Sequence, residues 1–164
     1  MFKKIAVAAT LALLASSTFA AERGYVYAGA DVGTTDIVGL SGRSTSFGSF
    51  IGYQFTSHLA VEANVRRMAD TTERFVDVRV VQMGLSLVGT LPLSNGLNVF
   101  GRVGHNKVEG RASAGGVVTG ETVNKFMYGV GVGYAFTPVI SGRVEYQKLT
   151  NFGNNVSASV VFKF

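Results

Sequence analysis

The chain has 164 residues with a formal net charge of +5, no cysteine, 21 glycines and 2 prolines, and 47% of its residues are hydrophobic. The lack of cysteine excludes a disulfide-stabilised domain, and the composition is typical neither of disordered nor of helical proteins. The small surplus of positive charge gives no indication of nucleic-acid binding, so no nucleic-acid partner is expected.

The start of the chain has the features of an export signal. Two lysines precede an apolar run over residues 5–15, and a small-residue cleavage site ends at Ala20. The apolar run is too short to cross a bilayer as a helix. We therefore predict a signal peptide over residues 1–20 and one domain over residues 21–164, whose formal charge falls from +5 to +3 with the loss of two lysines.

Eight segments of the remaining chain alternate apolar with polar or small residues, which is the period of a β-strand with one apolar face. In chain order, the predicted strands cover residues 25–33, 44–55, 59–68, 76–90, 97–106, 126–136, 140–147 and 156–164. Short turns are predicted after the second, fourth and sixth strands, and longer polar loops at residues 34–43, 69–75, 107–124 and 150–154. No segment after the signal reaches the ~20 apolar residues of a membrane helix, so a membrane-spanning form would be a closed barrel.

The hairpin over residues 126–147 shows the two faces most clearly. Its apolar face has aromatic residues at both ends of the first strand and consists of Phe126, Tyr128, Val130, Val132, Tyr134 and Phe136. On the second strand, Arg143 and Glu145 lie on the opposite face. A soluble lipocalin-like carrier would bury the apolar face and expose Arg143, whereas an outer-membrane barrel turns the apolar face to lipid and the charges into its lumen.

An even number of strands, joined alternately by short turns and longer loops, is typical of a bacterial outer-membrane barrel. The predicted fold is therefore all-β: an eight-stranded antiparallel up-and-down transmembrane β-barrel, whose lumen is narrow enough for side chains to fill. By alternation, the charged residues that face the lumen are Asp31, Glu62, Arg66, Arg102, Arg143, Glu145 and Lys163. Because unpaired charges in a closed barrel would be costly, we predict that these three acids and four bases form a structural network.

Three runs of the sequence resemble the transmembrane domain of outer membrane protein A. They are Gly52-Tyr53-Gln54 followed by Glu62, Val81-Gln82 followed by Arg102, and residues 131–138 leading into residues 143–147. In that family an acid on the third strand pairs with an arginine on the seventh inside the barrel, which implies a pair between Glu62 and Arg143 here. The family's second lumen pair falls on Ser86 and Gly133, so that pair is missing.

The last predicted strand resembles the signal that outer-membrane barrels present to their assembly machinery. Apolar alternation at Val160 and Phe162 leads to a terminal aromatic residue, Phe164. The resemblance implies a monomer in the cell outer membrane of a Gram-negative bacterium, with outer-membrane lipids, lipopolysaccharide and the assembly machinery as partners. Arginines near the second predicted loop are expected to contact lipopolysaccharide phosphates, and these are Arg66, Arg67, Arg74 and Arg79.

The function expected from these features is structural. A filled lumen that conducts weakly or not at all would serve outer-membrane integrity and the display of surface loops. One alternative is a surface adhesin or resistance factor acting through the predicted loop at residues 107–124. Another is a lipid A-modifying barrel enzyme, for which His58 and His105 are the candidates for acid–base chemistry. Asn106 rather than a serine follows His105, and we predict no catalytic site, no metal site and no cofactor.

Overall fold

In a computed structural model, which describes residues 24–39, 42–73, 76–114 and 117–164, the chain forms eight antiparallel strands. The predicted signal peptide lies outside the described residues. The strands are β1 (Tyr25–Ile37), β2 (Arg43–Thr56), β3 (Leu59–Glu73), β4 (Val76–Pro92), β5 (Leu97–Ala114), β6 (Val117–Ala135), β7 (Ile140–Leu149) and β8 (Gly153–Lys163).

Each strand pairs with its neighbours in the sequence, and β1 pairs with β8, so the sheet closes into a barrel. The predicted eight-stranded antiparallel barrel is confirmed. A ring of paired residues can be followed once around the wall, through Tyr27, Gly52, Glu62, Ser86, Gly104, Met127, Leu149, Gly153 and Ile37. The ring returns to β1 ten residues beyond its start. This stagger tilts the strands by roughly 40° from the barrel axis, as expected for a closed barrel of this size.

The short connections β2–β3, β4–β5 and β6–β7 lie at one end of the barrel, which we call the turn end. In the β4–β5 turn, Asn95 and Gly96 have φ angles of 58° and 78°, a backbone region that asparagine and glycine adopt most readily. In the β6–β7 turn, the Thr137 hydroxyl oxygen accepts hydrogen bonds from the backbone N–H groups of Val139 and Ile140. Short turns are periplasmic in outer-membrane barrels, so the opposite end, the loop end, faces outward.

Two of the predicted loops are wrong, because the strands continue through them. Residues 107–124 belong almost entirely to β5 and β6, which pair up to Ala114 and Val117. Residues 69–75 likewise belong mostly to β3, which continues to Glu73. The alternation of apolar with polar residues ends where the wall leaves the lipid. The pairing of the two backbones continues beyond that point, with polar residues on the outer face. Lys107 and Glu109 lie there and form an ion pair with an N–O distance of 2.7 Å.

The outer wall of the barrel is apolar, with the predicted face of β6 exposed along its length. Exposed aromatic side chains form one girdle near the turn end, consisting of Tyr53, Phe55, Tyr134, Phe136 and Phe162, and another nearer the loop end, consisting of Phe47, Phe126, Tyr128 and Tyr146. The soluble-carrier alternative is wrong, because it would bury Phe126, which is 53% exposed, and expose Arg143, whose side chain is 16% exposed. In the described part of the chain, no helix is long and apolar enough to cross a membrane.

Candidate functional site in the barrel lumen

The lumen is filled by three layers of inward-facing side chains. The turn-end layer is apolar and consists of Tyr27, Phe50, Ala60, Val88, Phe100 and Val161. The loop-end layer is also apolar and consists of Ile37, Met68, Val80, Val108, Met127 and Leu149. Between them lies the polar middle, whose buried side chains include Asp31, Glu62, Arg66, Gln82, Arg102, Asn106, Glu145, Gln147 and Asn155.

Glu62 on β3 is the centre of the polar middle, and none of its side chain is exposed. The Tyr27 hydroxyl on β1 donates a hydrogen bond to Glu62 Oε2 at 3.0 Å, and Arg143 Nη1 on β7 donates another at 3.0 Å. Arg102 on β5 contacts the second carboxylate oxygen as an ion pair. The structure therefore places Glu62 beside Arg143, as the family resemblance implies, and gives it a second cation from another strand.

Arg102 joins two acids that lie on different strands. Its Nη2 contacts Glu62, and its Nε lies 2.8 Å from Glu145 Oε1 on β7. These are close ion pairs rather than aligned hydrogen bonds, because the Nε and both carboxylate oxygens lack partners of suitable angle. Only 3% of the Arg102 side chain is exposed. Ser86 and Gly133, where the family has its second lumen pair, face the lumen without charge.

Arg66 organises the second half of the polar middle. It contacts Asp31 on β1 through Nε at 3.1 Å and Nη2 at 2.9 Å, and its Nη1 donates to Gln147 Oε1 at 2.8 Å and to Asn155 Oδ1 at 2.7 Å. Asn155 in turn donates through Nδ2 to the hydroxyls of Thr35 and Ser46. Because Arg66 is buried here, the prediction that it contacts lipopolysaccharide is wrong.

Aromatic rings surround the guanidinium of Arg143 where the polar middle meets the turn-end layer. Its Cζ lies 5.0 Å from the centre of the Tyr27 ring, 5.6 Å from Phe50 and 5.4 Å from Phe100. Cations are attracted to ring faces at these distances. The charge is thus held on one side by Glu62 and on the other by rings, which closes the lumen toward the turn end.

Glycines on the inner face of β6 leave room for large neighbours. A Cβ atom at Gly131 would lie 2.4 Å from the Phe100 ring, and one at Gly129 would lie 2.8 Å from Glu145 Oε1. These glycines therefore accommodate Phe100 and Glu145, whose side chains lie against β6.

Lys163 lies apart from the charged network predicted for it. Its side chain is half-buried at the turn-end mouth, with Nζ 5.2 Å from the centre of the Tyr25 ring. Among the arginines of the predicted lipopolysaccharide cluster, Arg67 is exposed on the outer wall. Arg74 and the side chain of Arg79 lie outside the described residues.

Neither histidine belongs to the lumen network. His105 is exposed on the outer wall, nine residues before the end of β5 rather than at its outer end, and its cross-strand neighbours are Leu85 and Phe126. His58 lies in the β2–β3 turn, with Nδ1 2.9 Å from the Ser57 hydroxyl. In the described residues, no group of three or more histidine, cysteine or acidic side chains is placed to hold a metal ion.

The residues of the predicted assembly signal face outward at the turn end. Val160 and Phe162 are 46% and 48% exposed on the outer wall of β8. Phe164 is 79% exposed, and its backbone N–H donates to the Val26 carbonyl oxygen at 2.9 Å, which ties the last residue to β1.

A closed eight-stranded barrel with an apolar outer wall, two aromatic girdles and ion-paired charges inside defines a transmembrane barrel of the outer-membrane class. The comparisons agree: the chain belongs to the family of outer membrane protein beta-barrel domains, whose family model matches residues 6–164. The membership predicted from the sequence is confirmed, and the family places the protein in the outer membrane. A search of curated protein sequences found no match.

Solved outer-membrane barrels share the fold. Neisserial surface protein A (NspA) is 20% identical, with a TM-score of 0.66 over 86% of this chain and 97% of its own. The N-terminal β-barrel domain of Pseudomonas aeruginosa OprF is 13% identical, with a TM-score of 0.67 over 87% of this chain and 100% of its own. Ail, the attachment invasion locus protein of Yersinia pestis, is 13% identical, with a TM-score of 0.63 over 86% of this chain and 97% of its own. At these identities the likeness is one of fold alone.

Proposed function

We propose that this protein is a structural outer-membrane barrel that does not pass a steady current, and that it stabilises the membrane and displays surface hairpins. One observation supports this most directly: among the described residues, two apolar layers lie on either side of an ion-paired polar middle. Narrow apolar constrictions exclude water and therefore block ions. Water-filled channels are a feature of barrels with twice as many strands.

Planar-bilayer recording of the purified protein tests the closed lumen. The unmodified protein should show no steady conductance. The matched positive control opens both apolar layers, with Val88→Gly and Phe100→Gly at the turn end and Met68→Gly and Met127→Gly at the loop end, and should conduct more than the unmodified protein. A large, stable channel in the unmodified protein would overturn the proposal and make this a pore. Folding of each variant is checked by heat-modifiable gel migration.

In this proposal the protein is not an enzyme. A barrel enzyme acting on lipid A would need a nucleophile or an acid beside its histidine, and the cross-strand neighbours of His105 are Leu85 and Phe126. Substituting His105→Asn should leave the mass spectrum of cellular lipid A unchanged. A lipid A species that depends on His105 would favour the enzymatic alternative instead.

The proposal also includes assembly through the last strand and contact with outer-membrane lipids and lipopolysaccharide as a monomer. Phe164 is exposed beyond the β1–β8 ladder, where an assembly factor can reach it. Replacing Phe164→Ser should lower the amount of protein in the outer membrane and increase periplasmic degradation products. Val139→Ser, at another exposed apolar position of the turn end, is the control and should accumulate normally. Equal accumulation of both variants would remove the assembly signal from the proposal.

A second candidate function, surface adhesion, is favoured by the length of β5 and β6. These strands have 18 and 19 residues, whereas about 9–11 are enough to cross the membrane, so their hairpin projects beyond it. Ail, an attachment invasion locus protein, shares the fold. Replacing residues 110–121 by an Asn-Gly turn would join the paired residues Glu109 and Thr122 without a register shift. Adhesion of cells that is lost with this variant, at equal surface levels, would establish the hairpin as an adhesin.

A further inference from the structure

A cup opens at the loop end of the lumen, above the loop-end layer. Its volume is about 240 Å³. Ile37, Val80 and Val108 of the loop-end layer form its floor, and Val123 and Phe152 form an apolar wall. The lining is completed by Gly110 of β5 and by two charged side chains of β6, Glu121 and Lys125.

The apolar lining is unusual for this position, because the inner surface of an outer-membrane barrel near its mouth is normally polar. Val123 and Phe152 are only partly buried and pack against the loop-end layer beneath them. Concave apolar surfaces with a few placed polar groups are typical of small-molecule sites. The volume exceeds the roughly 150 Å³ of an engineered apolar cavity that holds benzene, so the cup has room for part of an alkyl chain.

The two charges are placed at different depths. Lys125 is partly buried and is the next inward-facing residue of β6 after Met127 in the direction of the loop end. Glu121 is exposed and lies four residues nearer to the loop-end tip of the strand. Four residues of a strand separate their Cα atoms by about 13 Å. The cross-strand partner of Lys125 is the neutral Asn106. A lysine can line an apolar wall with its methylenes while its ammonium reaches toward water, so the inside of the cup presents a cation.

We propose that the cup binds an anionic amphiphile, namely a medium-chain fatty-acid carboxylate. Lys125 holds the carboxylate near the opening, and the alkyl chain lies against Val108, Val123 and Phe152 above the loop-end layer. This site is independent of the proposed structural function, because the closed lumen beneath it is the same whether or not the cup is occupied.

Quenching of a single tryptophan tests the cup, since the chain contains none. The Phe152→Trp variant in phosphatidylcholine nanodiscs is titrated with ω-bromooctanoate, whose bromine quenches tryptophan on contact, and with the neutral ω-bromooctanol. Phe126→Trp on the outer wall reports simple partitioning of either compound into the bilayer. Heat-modifiable migration shows that each variant is folded.

Saturable quenching of Phe152→Trp by the carboxylate is the expected result, with weaker quenching by the alcohol. Adding Lys125→Gln should weaken carboxylate binding about tenfold, whereas Lys148→Gln, an exposed cation on the outer wall, should leave it unchanged. Gly110→Phe should abolish saturation, because a Cβ atom there meets nothing within 4 Å and its ring can fill the cup. Unsaturable quenching equal to that of Phe126→Trp would overturn the site. Equal binding of carboxylate and alcohol, or no effect of Lys125→Gln, would overturn its selectivity for anions.

Discussion

The middle of the lumen and its two ends are built from opposite chemistry. In the polar middle, Glu62 and Glu145 share Arg102, and few atoms of the three side chains touch water. In the apolar layers, side chains such as Val88 and Met127 are 1% and 0% exposed. Exclusion of water by the ends strengthens each ion pair in the middle and raises the cost of any charge left alone. The middle therefore depends on complete pairing, and the ends depend on packing.

Removal of the shared arginine should have the largest effect. Arg102→Met leaves Glu145 without its ion-pair partner and Glu62 with one cation, so it should lower the free energy of unfolding by about 4 kcal/mol. Urea unfolding in lipid vesicles measures this change. Lys107→Met, on the outer face of the same strand, is the matched control and should cost less than about 1 kcal/mol. A similar small loss for Arg102→Met would show that the polar middle does not depend on pairing.

An arginine placed on the lipid-facing side tests how much the acids of the lumen stabilise the arginines inside. Val132 is exposed on the outer wall of β6, between the two aromatic girdles. Val132→Arg should cost about 3 kcal/mol in the same unfolding measurement, because no acid there compensates the charge. Val139→Arg, in the β6–β7 turn, should cost almost nothing. Equal stability of the two variants would mean that the outer wall at Val132 does not face lipid.

A cavity in the turn-end layer should have a smaller effect. Val88→Ala removes two methyl groups from a fully packed position and should cost about 2 kcal/mol, from lost burial and the space left behind. Leu87→Ala, the next residue on the lipid-facing side, should cost less in short-chain detergent, which can fill the gap. If Val88→Ala were neutral, the turn-end layer would not be closely packed.

The coupling between Glu62 and Arg143 should be the smallest of these effects. After either is removed, Glu62 retains Arg102 and Arg143 retains three aromatic rings. A double-mutant cycle with Glu62→Gln and Arg143→Met should therefore give a coupling energy of about 1 kcal/mol. The matched cycle with Glu62→Gln and Lys163→Met should be additive, since Lys163 lies at the turn-end mouth. Coupling below about 0.5 kcal/mol in the first cycle would mean that the two side chains do not interact in lipid.

Much of the fold could be predicted from the sequence, because lipid imposes a simple rule on one face of every strand. The alternation from Phe126 to Phe136 gave the outer face of β6 directly. The loop-end parts of β5 and β6 were missed for the same reason. Beyond the lipid, residues such as Lys107 and Glu109 face water, so the strands continue there without alternating apolar residues that would reveal them.

The lumen could be predicted only in part. Alternation assigns Glu62, Arg102 and Arg143 to the inside, but which side chains meet across the barrel depends on strand tilt and stagger. Residues as distant in the sequence as Arg66 and Asn155 come together only after the sheet closes. The aromatic rings around Arg143 were missed because an inward phenylalanine looks like a break in the polar face of its strand.

The sequence distances inside the network have a consequence for the lifetime of the barrel. Arg66 on β3 contacts residues of β7 and β8 that lie 81, 89 and 91 positions away, and these contacts require β1 and β8 to be joined. An open sheet on the way to closure cannot contain them. Interactions absent from the transition state leave the rate of folding almost unchanged and slow unfolding instead. The contacts of Arg66 with β7 and β8 should therefore act mainly on the rate of unfolding, because they form at the last step of closure and break at the first step of opening.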